Sequence, residues 1–491
     1  MKGLKIIVTT AVLLIFHFQQ LMAQSGYVED ALRFSQYGQT GSARITALGG
    51  TQTSLGGDIS NVHGNPAGLG FFQNSEFSVS AAYGDLTSDT FFRNQLRGYN
   101  TTNFSLPNIG AVISRAKGPL EIGDWRGGSF GISLNRQSTY NQDFGYFSNQ
   151  REQGSMLDYY VDLYNEQGVP TGTDALFFEA FLINPVDGGG YGFVPNASNA
   201  LEKSELVENE GNLTQISFSY GGNYKNKLFL GASLGINSIL YRSTKTYDEE
   251  FFDDSGQQTT LFSSLQENLF LEGSGINLGV GVIYKPVDQL NLGLNFKSPT
   301  WNRINEEYDA DLFANFSPPY EDPEFGSIAE SDAETDIFIS SYNLRTPMQL
   351  GAGLTYFFGK NGFISGDINY LDYSTANLRS NVFNTGQDNS EIRRIYSQAI
   401  NYSVGGEYRL QKIRLRAGYA FFGDPFGETG GLDRSTTQIS GGIGLKLPSF
   451  SVDFSLVNSQ FNSFYTSYPG ADLATTENNR ITGMLTLGFR F

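Results

Sequence analysis

The last eleven residues of the chain alternate. Ile481, Gly483, Leu485, Leu487, Phe489 and Phe491 fall on one parity, and Thr482, Met484, Thr486, Gly488 and Arg490 on the other. Successive side chains on a strand point to opposite faces, so this segment predicts a strand that is apolar on one side only. The same period of two runs through 276–284, 290–296, 413–421, 439–447 and 452–456, with Asn291, Asn295, Arg414, Arg416, Ser440, Lys446 and Asp453 between the apolar positions. Less regular segments bring the total to fourteen, near 75–84, 104–116, 127–141, 211–225, 227–243, 274–286, 289–299, 346–358, 361–373, 400–410, 412–421, 436–447, 449–459 and 481–491. An even number closes an antiparallel sheet with both termini on one side. Eleven residues tilted by about 45° span roughly 25 Å, the height of a bilayer's apolar band. The predicted fold is therefore all-β, a transmembrane antiparallel barrel of about 14 strands.

The connections alternate in length. Those at 225–227, 285–288, 359–360, 410–412 and 447–449 are tight, whereas 85–103, 142–210, 244–273, 300–345, 374–399 and 460–480 are long. Outer-membrane barrels have this asymmetry, with short periplasmic turns and long outer loops. Charge divides the same way: 142–210, 244–273 and 300–345 hold 30 of the 50 acidic residues and 5 of the 32 basic ones. Lys117, Lys225, Lys227, Lys285, Lys360 and Lys412 mark the turns. The net charge of -18 thus lies mainly outside and argues against a nucleic-acid partner. Acidic loops of this kind repel one another in solvent, or bind divalent cations and cross-link to lipopolysaccharide; no metal site is assigned.

Composition fits a wall with one face in lipid: mean hydropathy is only -0.27 although 14% of residues are aromatic. The chain has no cysteine, which excludes disulfides, thiolate metal sites and a lipoprotein anchor. Lys2 and Lys5 precede an apolar run over 4–18, and Leu21-Met22-Ala23 reads as a cleavage site, so residues 1–23 are a predicted signal peptide. Residues 24–72 carry nine glycines between Gly38 and Gly70 and no sustained alternation. They predict a compact plug that enters the lumen from the periplasmic mouth, ahead of a barrel over 73–491.

Within the plug, Gly56-Gly57-Asp58-Ile59-Ser60 and then Asn65-Pro66-Ala67-Gly68-Leu69 resemble the N-terminal hatch of the FadL-type long-chain fatty acid transporters, a family that includes TodX-like aromatic hydrocarbon channels. Arg345-Thr346-Pro347-Met348-Gln349-Leu350-Gly351, Arg416-Ala417-Gly418-Tyr419 and Asn295-Phe296-Lys297-Ser298-Pro299 look like segments of the same family. The resemblance implies a monomeric outer-membrane channel, closed by its hatch, for passive uptake of a hydrophobic small molecule. Outer loops would catch the ligand, and a gap made by an inward kink in the third strand would release it sideways.

On that reading Asn65, Pro66 and Ala67 form a rigid turn that is structural or gating, since Pro66 fixes its own φ and biases Asn65 away from helix. Gly127, Gly128 and Gly131 in the third strand permit either the kink or close packing on the plug. Phe177, Phe178 and Trp301 are candidates for apolar capture, and Lys297 and Arg303 for pairing with a carboxylate. Arg414 and Arg416 are expected to pair with plug acids. His63 is the one histidine after the predicted signal peptide and could ligate haem on one side or be a polar loop residue. No catalytic arrangement surrounds it and no cofactor is assigned. A general diffusion porin is the nearer alternative, a haem receptor the more distant. Lipid and lipopolysaccharide would surround the wall, and the terminal Phe491 would be the handle for the barrel assembly machinery.

Overall fold

A computed structural model describes residues 26–38, 41–118, 121, 123–149, 154–168, 171–186, 188–193, 200–253, 255–427 and 430–491; the predicted signal peptide lies outside them. Fourteen strands form the wall. They are β1 Glu76–Phe92, β2 Gln95–Ala116, β3 Trp125–Thr139, β4 Ala200–Tyr224, β5 Leu228–Phe252 and β6 Thr259–Val287. β7 comprises Leu290–Lys297 and Trp301–Asp322, and β8 comprises Phe338–Arg345 and Gln349–Phe357. β9 Gly362–Asp372, β10 Gln398–Leu410, β11 Ile413–Phe422, β12 Thr436–Lys446, β13 Phe450–Tyr465 and β14 Ala474–Arg490 complete it.

Each strand pairs antiparallel with its neighbour in sequence, and β14 pairs with β1 from Glu76↔Arg490 to Phe91↔Thr475. Ser75 and Phe491 exchange both backbone hydrogen bonds, at 3.1 and 3.0 Å, and finish the seam. Closure at this seam leaves neither β1 nor β14 as a free edge, the condition for a sheet in lipid. The alternation of the final strand is realised: Met484 and Thr486 are buried inside, while Ile481, Leu485 and Phe489 are exposed outside.

The expected long loops at 85–103, 244–273 and 300–345 are instead strand. β1 and β2 meet in a two-residue turn at Arg93-Asn94, both at positive φ, and β5 and β6 run on to Phe252 and Thr259. β6 shows why alternation failed to reveal this. From Ile276 to Tyr284 its apolar side chains point outward, whereas Leu261, Leu265 and Leu271 point inward and Gln266 and Glu272 outward. Outside changes from lipid to water near residue 274, so the apolar face changes sides. A scan that assumes one apolar parity reads the upper half as polar loop.

The plug also departs from expectation, because its N-terminal end is not at the mouth with the tight turns. The helix Gly26–Arg33 sits at the opposite, tall end, where Tyr27 Oη donates to Glu306 at 3.2 Å and Tyr342 Oη donates to Asp30 at 2.6 Å. Its apolar face explains the position. Val28, Ala31 and Phe34 are buried with Ile304, Tyr342, Leu344 and Ile392, the last on helix Gly386–Ile395. From there the chain descends through the lumen to Ser75.

Candidate functional site: hatch, cavity and a window in the wall

Two short turns give the hatch its shape. The Asp58 side chain accepts from Ser60 N at 3.0 Å to start Ile59–Val62, and the Asn65 side chain accepts from Ala67 N at 3.1 Å to start Pro66–Phe71. Asn65 Nδ2 also donates to Thr53 O at 2.6 Å and to Leu294 O of β7 at 3.3 Å, so one amide ties the turn to hatch and wall. Asn65 and Ala67 are completely buried.

The wall meets these turns with glycine. Gly221, Gly231 and Gly281 are cross-strand neighbours on β4, β5 and β6. A Cβ at Gly281 would lie 1.7 Å from Asn65 Oδ1, one at Gly231 2.3 Å from the Pro66 carbonyl carbon, and one at Gly221 2.4 Å from Pro66 O. The same holds round the barrel. Cβ atoms at Gly293, Gly405 and Gly418 would each lie 2.1 Å from hatch backbone, at Thr53, Leu48 and Gly49. Hatch and wall touch backbone to backbone.

Gly131 belongs to this ring, since its Cβ would lie 2.6 Å from Val62 Cγ2. Gly128 clears the Tyr220 hydroxyl, and Gly127 sits at φ +136° in an irregular register near the tight-turn end. Close packing and a basal bulge account for the three glycines.

Below the ring, charges fasten the hatch. Arg44 lies 3.4 Å from Asp58 and 3.6 Å from Glu407 of β10, while Arg416 of β11 binds Glu407 at 2.9 Å and Asp453 of β13 at 2.6 Å. Arg416 therefore pairs with wall acids rather than plug acids, and Arg414 donates to the Gln411 and Ile413 carbonyls.

Above the ring lies a cavity of about 560 Å³. Phe144, Val207, Tyr241, Phe461, Tyr465 and Met484 contribute apolar surface, and Arg33, Arg136, Lys245, Arg434 and Arg480 are its cations. The wall beside it is incomplete. β2 and β3 pair from Ala116↔Gly127 up to Asn108↔Asn135. Contact resumes without a backbone ladder, Asn103 Nδ2 donating to Thr139 Oγ1 at 2.9 Å, Thr101 Oγ1 to the Asp143 carboxylate at 3.0 Å and Asp143 N to Thr101 Oγ1 at 2.9 Å. Between these ties, residues 104–107 of β2 have no ladder on the β3 side among the described residues, an interval of about 13 Å along the strand.

Two bulges make this window. The β1–β2 register shifts between Ser80 and Ala82, opposite Pro107, which has no N–H to donate, and the β3–β4 register shifts between Arg136 and Ser138. The inserted residue of the third strand is thus Gln137, above the glycines read as permitting a kink. Gly38 N donates to Gln137 O at 3.0 Å and Ser138 Oγ to Gln36 O at 2.9 Å, so the descending N-terminal segment is stitched to the bulge.

Lys297 is part of the same knot. Its ammonium donates to Gln137 Oε1 and Gln215 Oε1, each at 3.2 Å, and lies 4.4 Å from the centre of the Tyr37 ring. Trp301 and Arg303 alternate with the inward Asn302 and Ile304 and face outward, away from the cavity. Helices Met156–Gln167 and Leu176–Glu179 form a cap over the tall end, in which Phe177 is fully buried and stacked on Tyr160 at 4.0 Å while Phe178 is exposed beside Tyr191. The structure thus brings Lys297 to the window and separates the other four ligand candidates from the cavity. Pro107 and Gln137 were missed, and Pro107 carried the signal, because proline inside a wall strand marks an unpaired edge or bulge.

His63 lies against a polar cavity of about 140 Å³, with both ring nitrogens buried and unbonded. At roughly 30 Å³ per water, that space suits a few waters rather than a macrocycle. No group of three or more potential ligands that could hold a metal ion occurs among the described residues.

Near the N-terminal helix, above the apolar band, burial and then the charge of Asp30 push the Glu306 carboxyl up from 4.5 to about 7. A raised carboxyl costs nothing below about pH 4.5, and its cost grows until ionisation is complete above about pH 7. The helix should dock more firmly at pH 5 than at pH 8, and Glu306→Gln should flatten that difference in thermal melts. Equal pH dependence in the two proteins would refute the assignment.

No protein-family model matches the chain, and no curated protein is similar to it in sequence. The fold is nonetheless shared with solved barrels, and it is the FadL-type fold. A FadL homologue of Pseudomonas aeruginosa superposes with a TM-score of 0.54 at 12% identity, covering 93% of this chain and 99% of its own. The toluene transporter TodX of Pseudomonas putida does so with a TM-score of 0.52 at 14% identity, covering 93% and 99%.

Proposed function

We propose that the chain is an outer-membrane channel for passive uptake of hydrophobic small molecules, long-chain fatty acids or similar amphiphiles, and that it works as a monomer. The observation that carries this reading is a cavity of mixed apolar and cationic surface lying between a sealed hatch and a window in the wall. A ligand entering at the tall end finds its straight path blocked by the glycine ring, and the window gives it a sideways exit into lipid. Residues 24–72 are then the hatch and 73–491 the barrel, with the tight turns in the periplasm. Hydrophobic ligands are supported by the transport of toluene by TodX, which has the same fold. Lys297 acts on this route as the clamp between Gln137 and Tyr37.

Planar-bilayer conductance and native mass spectrometry test the reading together. The intact protein should conduct little and retain a lipid or hydrocarbon, and removing residues 41–72 should open a large, persistent conductance. A general diffusion porin predicts the reverse for the intact chain. Steady large conductance with no bound ligand would refute the channel proposed here.

A further inference from the structure

Arg136 stands in the window without a partner among the described residues. Its position on β3 has the parity of the lipid-facing Phe130 and Ile132, yet the bulge at Gln137 turns the strand so that Arg136 borders both the inner cavity and a groove of about 270 Å³ on the outer surface. Among the described residues its guanidinium forms no hydrogen bond or ion pair, and Nε is buried. Asn103 and Asn141 also border both spaces, so the two voids meet at these three side chains. The groove continues over Phe104, Leu240 and Phe270. Its second cation, Arg242, lies 5.2 Å from the centre of the Phe270 ring and has Glu210, the groove's one carboxylate, as its cross-strand neighbour. The cross-strand neighbour of Arg136 is the uncharged Thr214.

An unpaired guanidinium at the edge of lipid is costly, and a bound oxyanion relieves that cost through short, charge-assisted hydrogen bonds. Neutral hydrocarbon leaves it uncompensated. We propose that Arg136 is a head-group site in the window, where it binds the carboxylate or phosphate of a long-chain amphiphile whose tail lies on Phe104, Leu240 and Phe270. Asn103 and Asn141 supply amide donors on either side. The proposal rests on the sideways route above, and the oxyanion has two sources, the transported ligand or a lipopolysaccharide phosphate of the surrounding leaflet.

The test compares the full-length protein with Arg136→Gln and Arg136→Lys, each checked for folding by heat-modifiable gel migration. Calorimetry in detergent free of lipopolysaccharide measures laurate and dodecanol binding. Native mass spectrometry of protein extracted from outer membranes measures retained lipopolysaccharide. For a transported ligand, Arg136→Gln should weaken laurate at least tenfold and leave dodecanol within twofold, with Arg136→Lys between. For resident lipid, laurate is unchanged and bound lipopolysaccharide is lost. Both unchanged while the wild type binds dodecanol would overturn the head-group site and leave the channel standing. Failure of the wild type to bind either chain would overturn both.

Discussion

Leucine at both Gly231 and Gly281 should turn a sealed barrel into a conducting one. The first carbon of each new side chain would lie 2.3 Å from the Pro66 carbonyl carbon and 1.7 Å from Asn65 Oδ1, and neither contact can be relieved by rotating a side chain of the wall. The Asn65–Pro66 turn must lift, and with it go the bonds from Asn65 to Thr53 and Leu294. Overpacking a tight site typically costs about 1–3 kcal/mol per substitution, and here the strain falls on one face of the hatch. The expected result is a lower unfolding midpoint together with conductance approaching that of the hatch deletion. Gly406→Leu is the control, because a Cβ there would meet nothing closer than 3.6 Å. A double variant as tight and as stable as wild type would mean that the glycines do not seat the hatch.

Arg416→Met should give the second large effect. Its guanidinium joins Glu407 and Asp453, and the Arg416 and Glu407 side chains are each only 3% exposed. Removing one member of such a group leaves the others charged without compensation, typically about 3–5 kcal/mol. Glu407 keeps Arg409 at 2.8 Å and Arg44 at 3.6 Å, so most of the loss should fall on Asp453, and Asp453→Asn in the same chain should recover part of it. Urea unfolding read by heat-modifiable migration measures both variants. A change below about 0.5 kcal/mol would show that the group is dispensable.

The wall was legible because lipid imposes one rule on it: within the apolar band every outward position must be apolar, and Ile276, Leu278, Val280 and Val282 obey. Above the band the rule reverses, and Leu261, Leu265 and Leu271 turned inward looked like breaks in the pattern. The Asn65-Pro66-Ala67 turn could be found because proline and asparagine act locally. Its seat could not, because Gly221, Gly231 and Gly281 become neighbours only through sheet register. The kink was sought at three glycines in five residues, yet a missing hydrogen-bond donor at Pro107 and an inserted residue at Gln137 place the window higher. Arg303 looked suitable for a ligand until parity put it outside, and Arg136, of outward parity too, reaches the window only because the bulge beside it turns the strand. Such placement depends on where a bulge falls, and composition does not reveal that.

The ring of glycine contacts also constrains how the molecule is made. The N-terminal helix lies on the far side of the ring from Ser75, held by Tyr342 and Tyr396 of the wall and its cap. Between these two anchors the chain passes in contact with wall backbone at Gly231, Gly281 and Gly418. An order in which the hatch is laid against the open sheet, with β14 closing on β1 afterwards, forms these contacts without threading the helix through the ring.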